Sequence, residues 1–585
     1  MRRFASIVLA LTVAASCVET GEVEDGENDD IAADGKADGG YSTAEVAGIL
    51  SLVNNPAETS ALLRSDAGVT KRVADNVTKH RDGADGVAGT ADDDKFDTLV
   101  ELDKIPYVGP VTMNALLDAA KDKGLVATGD GAKIDVIFSP QPAAQSHNAR
   151  IAQMIRGAQS TIDIAIYSYS DAGIAAALTD AVSRGVKVRF LFETAGEDKK
   201  LVDAAARAAS KSGKIEAQGI DVRYVNKILH DKILIVDGPR DDKNKIAKIA
   251  MGSANWSSTG GTVYDENTMF IENSKELSAA YQAEFDKLWK GSRDFVGPAP
   301  AQGQSTAQIT PTDVADEPGI DALFTSPNFK AGGADGTTWS ANKDSTVMAN
   351  EWVKAINHAE TSIHIASAHM RLRPVAEALL ARHAAKPSLK IQVYLDQQEY
   401  ISSSGNTSQE NDVNACVAAA TTDAAKRDCK FNDFLFAREL IDAGIDVRFK
   451  SFAYRWDATY AEQMHSKYMV VDGKELLSGS YNLSMNSEQG TFENALHVTG
   501  GQFAPLLAAF EGNFGTIWET GRAQNLLSGL KTTISTSSSI PLVFPAMSLT
   551  ASELESLKTL IRSNCPDADS TAFRDAPASH KTCAR

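Results

Sequence analysis

His230-Asp-Lys-Ile-Leu-Ile-Val-Asp-Gly238 and His465-Ser-Lys-Tyr-Met-Val-Val-Asp-Gly473 are two copies of one pattern, and they decide how this chain is read. In each copy a His and a Lys at i and i+2 lead into an apolar, β-branched run. On an extended chain that spacing puts the imidazole and the ammonium on one face, at the mouth of a buried strand. Each copy continues in step. Gly252-Ser-Ala-Asn255 and Glu266-Asn267 follow the first; Gly479-Ser-Tyr-Asn482 and Glu493-Asn494 follow the second. The interval from glycine to glutamate is 14 residues in both. A lone His-x-Lys carries almost no information, but two such series in register argue for a duplication.

The flanking sequence repeats as well. Ile134-Asp-Val-Ile-Phe-Ser-Pro140 matches Ile320-Asp-Ala-Leu-Phe-Thr-Ser-Pro327. Thr161–Tyr167 matches Ser362–Ala368, and Gly219-Ile-Asp-Val-Arg-Tyr224 matches Gly444-Ile-Asp-Val-Arg-Phe449. Helical patterns alternate with these strands, so the fold class is α/β: two pseudo-symmetric lobes, each a sheet flanked by helices. We place lobe 1 at 131–296, a Pro-, Gln- and Thr-rich linker at 297–318, lobe 2 at 319–524, and a C-terminal helical region bearing cysteines at 525–585. A helix start, Thr550-x-x-Glu553, lies in that last region.

The paired HxKxxxxD and GSxN motifs resemble the phospholipase D superfamily over roughly 133–520. The resemblance implies that His230 is the nucleophile and forms a phosphohistidine. His465 would then protonate the leaving oxygen and activate water. Lys232, Lys467, Asn255 and Asn482 would hold the phosphoryl oxygens, with Ser253 and Ser480 assisting. Glu266 and Glu493 would hydrogen-bond the histidine rings. Asp237 and Asp472 complete the motif and are expected to organise the turn after each strand. No cofactor and no metal are expected. His369 and Arg371 could line the cleft or be satisfied structurally. The residues that lengthen lobe 2 before His465 include Phe452, Tyr454, Trp456 and Tyr460, which could meet acyl chains or pack on the other lobe. The segment 240–248 reads as a solvated turn.

The N-terminus reads as an export signal. Arg2 and Arg3 precede the apolar Phe4–Val13, small residues follow, and Cys17 stands where a lipoprotein signal carries its lipidated cysteine, although Ala14 replaces the preferred Leu. Residues 18–40 hold nine acidic residues and one Lys, and are expected to form a disordered tether. Of the other cysteines, Cys416 with Cys429 and Cys565 with Cys583 are close pairs, suited to disulfides in an oxidising compartment; three connectivities are possible.

Residues 41–130 show helical periodicity. Leu99, Leu102 and Ile105 precede Pro106-Tyr-Val-Gly-Pro110, and Met113, Leu116 and Leu117 follow it. The segment resembles a helix-hairpin-helix module, with Tyr107 replacing the first hairpin glycine. The acidic run Asp82, Asp85, Asp92, Asp93 and Asp94 could attract Ca²⁺ but lacks EF-hand spacing and reads as a solvated turn.

The chain has 585 residues, 43% hydrophobic and 23% charged, which excludes wholesale disorder. Its formal charge of −19 argues at first against phosphate-bearing partners. Yet the tether carries −8 and the module 41–130 carries −6, leaving 131–585 only mildly acidic. The acidity therefore counts against a DNA grip by the hairpin module, not against a phosphate substrate in the lobes. The expected function is an exported phospholipase D acting on phospholipid at a membrane surface, as a monomer with both motifs in one chain. The alternative is a metal-independent phosphodiesterase acting on nucleic acid.

Overall fold

The computed structural model describes residues 41–299 and 311–585, apart from 42, 91, 124, 126–131, 315, 432 and 433. The expected signal, tether and central part of the linker lie outside these residues. The chain forms two units, 1–126 and 127–585.

In the first unit, helices Thr43–Asn54, Ser60–Ala67, Lys71–Arg81, Leu99–Asp103 and Pro110–Asp122 enclose a core that includes Ile49, Leu52, Val73, Phe96, Leu102, Met113 and Leu116. Thr59, Thr70 and Thr98 cap three of the helices with their hydroxyls. Tyr107 occupies the turn between the last two with φ of 71°, a region that favours glycine, and it is exposed.

The second unit contains two eight-stranded sheets with one topology. In the first, the order is 133–139, 266–272, 248–252, 232–236, 161–166, 187–192, 221–224 and 293–294; in the second it is 320–324, 494–499, 475–479, 467–471, 362–367, 390–396, 446–453 and 543–550. The His-x-Lys strand runs antiparallel to the strand beside it in both sheets, pairing Ile166 with Lys232 and Ser367 with Lys467. The two strands beyond it are parallel to one another and buried, as runs such as Lys187–Phe192 and Lys390–Asp396 require. One apolar cluster runs through both lobes, joining Met251, Leu277 and Trp289 to Tyr468, Phe492, Phe510 and Phe514.

The structure departs from the sequence reading at the C-terminus. Residues 525–585 are not an appendage. Val543–Thr550 is the edge strand of the second sheet, paired with 446–453, and Ile534, Leu542, Met547, Leu554 and Ile561 belong to the core of lobe 2. The Thr550–Glu553 capping box starts the helix Ala551–Asn564. Disulfides join Cys416 to Cys429 and Cys565 to Cys583. The aromatic insertion meets this C-terminal segment. Phe452 is fully buried in a cluster that includes Val543 and Ala546. The Tyr454 hydroxyl donates to Asp569 (2.8 Å), and Tyr460 lies beside His580.

Segment 240–248 is also more than a solvated turn. Arg240 is buried and reaches Asp163 (3.1 Å), which also takes a two-pronged bond from the buried Arg189.

Candidate active site

Each lobe delivers its histidine through a short cross-lobe pairing. Residues 228–229 pair in parallel with 491–492, and Asp265 bridges Met464 in the same sense. His230 N–H donates to the Phe492 carbonyl (3.0 Å), and His465 N–H to that of Asp265 (2.9 Å). The segment entering each histidine thus runs beside the segment entering the glutamate of the opposite lobe.

The glutamates are therefore crossed. His230 Nδ1 lies 2.8 Å from Glu493 Oε2, and His465 Nδ1 lies 2.7 Å from Glu266 Oε1. Both carboxylates are buried, and both rings are nearly so. A carboxylate can only accept, so the arrangement assigns the ring proton to Nδ1 and leaves each Nε2 with its lone pair. Burial, reinforced by the nearby ammonium groups, lowers the affinity of both rings for a second proton; His465 is pushed down to about 4. The facing histidines hold Glu266 and Glu493 ionised, below the ordinary carboxylate range, although burial opposes this.

Lys232 and Lys467 begin the two buried strands, and each ammonium donates to the carbonyl of its own histidine. Burial pushes Lys232 down to about 8 and Lys467 to about 7. Asn255 and Asn482 each leave a side-chain oxygen buried with no protein partner, polar capacity that a ligand could use. The glycine of each Gly-Ser turn is required by close approach. A Cβ on Gly252 would lie 2.3 Å from the Asn267 carbonyl, and one on Gly479 would lie 2.1 Å from that of Asn494. These contacts account for the repeated interval, because Ser253 N–H and Ser480 N–H donate to the same two carbonyls.

The serines and the motif aspartates are engaged within the protein. Ser253 Oγ accepts from Asn267 N–H (2.9 Å), whereas Ser480 Oγ donates to Glu493 (2.7 Å) and accepts from Asn494 N–H. Ser253 thus holds the neighbouring strand, and Ser480 holds that strand and Glu493 together. Asp237 and Asp472 do not belong with the reacting groups. They follow the far end of the buried strand, with φ of 52° and 55°, and receive the backbone N–H groups of 159–161 and 360–362. Those bonds hold both carboxyls low, Asp472 at about 2. They organise the turn, as the sequence reading anticipated for them.

Sequence reasoning missed several groups beside the histidines. Glu193 accepts from Leu229 N–H (2.6 Å), and Asp396 from Met464 N–H (3.0 Å), each one residue before a histidine. Burial raises Glu193 to about 7 and Asp396 to about 6. Their matching places, immediately after Lys187–Phe192 and Lys390–Leu395, were the available signal. Asp231, between His230 and Lys232, is buried, accepts from Asn494 Nδ2 (2.7 Å) and is raised to about 8 by burial. Tyr167 stands edge-on to His230, with ring centres 4.9 Å apart. His369 and Arg371 both bind the buried Glu399, at 2.9 and 2.8 Å, two and four residues past Ser367.

The arrangement offers two rings with free Nε2 atoms and two buried cations. That is the equipment for a displacement at phosphorus with a separate acid for the leaving oxygen.

The family model described as "Cardiolipin synthase, PLD-like domain" matches residues 151–289 and 352–518, together more than half of the chain. The chain is similar to the mitochondrial cardiolipin hydrolase of Xenopus tropicalis, 27% identical over 153 residues, covering 26% of this chain and 65% of that protein. It is similar also to a phospholipase D of Rickettsia conorii, 30% identical over 151 residues, covering 26% and 66%. The chain thus spans just under two thirds of the length of these relatives. Among solved structures, the phospholipase D family member Nuc from Salmonella typhimurium is 27% identical, covers 28% of this chain and 97% of that chain, and superposes with a TM-score of 0.23.

Proposed function

The chain belongs to the PLD-like domain family, and from that premise we propose that it is an exported phospholipase D-type phosphodiesterase that hydrolyses phospholipid headgroups. The observation that carries this reading is the crossed pair of histidine–glutamate contacts flanked by Lys232 and Lys467. His230 Nε2 attacks phosphorus, forming a P–N bond, and the P–O bond to the headgroup breaks. His465, which takes up a solvent proton on Nε2 when the anionic phosphodiester lies beside it, passes that proton to the departing oxygen, so the headgroup leaves as its alcohol. His465, now neutral, takes a proton from water, whose oxygen attacks phosphorus; the P–N bond breaks, its electron pair returns to His230 Nε2, and phosphatidic acid is released. Lys232, Lys467 and the two asparagines stabilise the charge on the non-bridging oxygens. The assignment of the nucleophile to lobe 1 rests on family resemblance.

The relatives named for cardiolipin hydrolysis and phospholipase D support the lipid substrate. The N-terminal sequence supports export with a lipid anchor at Cys17, and the two disulfides fit an oxidising compartment. A membrane anchor would hold the site where its substrate is concentrated.

The test is headgroup release from vesicles of phosphatidylcholine and of cardiolipin, with plasmid DNA assayed beside them. Headgroup release that is lost in His230→Ala is the expected result. Cleavage of DNA without action on either vesicle would overturn the lipid reading.

A further inference from the structure

We propose that the N-terminal helical unit binds a first-row divalent cation, of the Zn²⁺ class, between His80, Asp94 and Glu101. The proposal stands apart from the phosphodiesterase reading and concerns residues 41–123 alone.

Three elements bring the donors together. His80 lies in the last turn of helix Lys71–Arg81, Asp94 ends the acidic loop, and Glu101 lies in the first turn of helix Leu99–Asp103. His80 Nε2 is 3.5 Å from Glu101 Oε1 and 3.7 Å from Asp94 Oδ2. It is shielded from solvent and makes no hydrogen bond. All three donor atoms lie within 4.8 Å of one another. Two ligands on one tetrahedral zinc stand roughly 3.3–3.5 Å apart, given bonds of about 2.0–2.1 Å. The observed spacing is therefore slightly too wide for good hydrogen bonds and close to what a shared ion demands.

The surroundings fix each donor. The His80 ring stacks on the buried Phe96, with centres 4.5 Å apart at 28°. Glu101 Oε2 accepts from Asp97 N–H (2.7 Å), which aims Oε1 at His80. Asp94 N–H donates to the Arg81 carbonyl (3.0 Å), pinning the end of the loop to the end of the helix. Asp94 is well exposed, leaving room for water as a further ligand. The other acids of the run are used differently. Asp92 receives Ala84 and Asp85 N–H, and Asp93 receives Gly89 N–H, so they shape the loop. One imidazole with two carboxylates suits Zn²⁺ and its first-row neighbours better than Ca²⁺ or Mg²⁺, which take oxygen alone. The ion would join three elements of a small unit, so binding would add to its stability.

The experiment uses the full chain, stripped with a chelator and desalted. Zn²⁺ is titrated by calorimetry, and Co²⁺ serves as an optical stand-in. Expected are one bound equivalent, a visible Co²⁺ spectrum erased by Zn²⁺, and a Zn²⁺-dependent rise in the melting transition of this unit. His80→Ala should weaken binding by more than the roughly 10–100-fold that losing a second-shell partner costs. Glu101→Gln is the safeguard against simple misfolding. Its amide oxygen can still accept from Asp97 N–H, yet the ion loses a charged ligand and binding should again weaken. His358 and His497, which share Glu475 in lobe 2, are the competing place for an ion. His358→Ala/His497→Ala should bind as the parent does. No bound equivalent, binding unchanged in both His80→Ala and Glu101→Gln, or binding lost in the double variant would each overturn the proposal.

Discussion

Lobe 1 and lobe 2 coincide where chemistry is expected and diverge immediately outside it. Lys232 and Lys467 start equivalent strands, each tied to its histidine carbonyl, and each histidine takes a glutamate from across the interface. Glu193 and Asp396 brace equivalent backbone amides. Yet the residue between histidine and lysine is the buried Asp231 in one lobe and Ser466 in the other. Glu493 receives Ser480 and Thr491 hydroxyls as well as His230, while Glu266 Oε2 has no hydrogen-bond partner. Only lobe 2 carries the disulfides and the C-terminal edge strand. The difference teaches that the duplication is held strictly at the reacting rings. Asymmetry between the two histidines must therefore arise from their second neighbours.

The strongest way to break the symmetry is covalent trapping. His230→Ala and His465→Ala should each lower kcat by roughly 10³-fold or more. With phosphorus-labelled substrate, His465→Ala should still acquire label, whereas His230→Ala should not. Label on His465 in His230→Ala would exchange the two roles. Next come the glutamates. In Glu493→Gln the new NH₂ would face donors on every side, so a cost of roughly 10²-fold is expected. In Glu266→Gln it can take the unpartnered position, for a cost of about tenfold. Equal losses would show that the extra donors around Glu493 do not matter.

The pH profile of kcat/KM sharpens the same comparison, because it reports the free enzyme. The nucleophile His230 acts from the neutral state, and burial lowers it, so the acid limb should lie below ordinary histidine. The lysines must be charged to hold phosphoryl oxygens. Activity should therefore fall as pH rises through about 7 to 8, with Lys467 losing its proton before Lys232. Lys467→Arg, which stays charged, should move the alkaline limb upward even if kcat falls. These limbs belong to the coupled set, not to single residues. An acid limb near pH 6.5 would contradict a buried His230 that stays neutral.

Much of this was legible in the sequence for physical reasons. A strand buried on both faces must be apolar throughout, so Ile233–Val236 and Tyr468–Val471 announced themselves. The Gly-Ser turn pairs with a strand a fixed distance on, so its interval repeats. The crossed glutamates were not legible, because Glu493 and His230 are 263 residues apart and only the lobe interface unites them. The serines' partners were not legible, because a hydroxyl in a Gly-Ser turn gives no sign of its direction. Val543–Thr550 escaped notice because it contains Pro545, which a sheet tolerates at its edge, where this strand lies. Arg240 looked solvated among Asp241, Asp242 and Lys243, and only the fold brings it to Asp163.

The smallest expected effect concerns Asp231 and Ser466, the clearest chemical difference between the lobes. Burial raises the Asp231 carboxyl from an ordinary 3.8 to about 8. Between those values the folded protein holds a proton that the unfolded chain releases. Stability from this group is thus complete below about pH 4 and declines as pH rises toward 8. The amide introduced by Asp231→Asn cannot titrate, yet its oxygen can still accept from Asn494. Asp231→Asn should therefore melt within about a degree of the parent at pH 5 and a few degrees higher at pH 8. Ser466→Asp should do the reverse, installing in lobe 2 the slope that lobe 1 already has. Thermal unfolding of 127–585 at the two pH values measures both. Parallel curves for the parent and Asp231→Asn would mean that Asp231 stays ionised beside Lys232, and the lobes would then differ in charge and not only in shape.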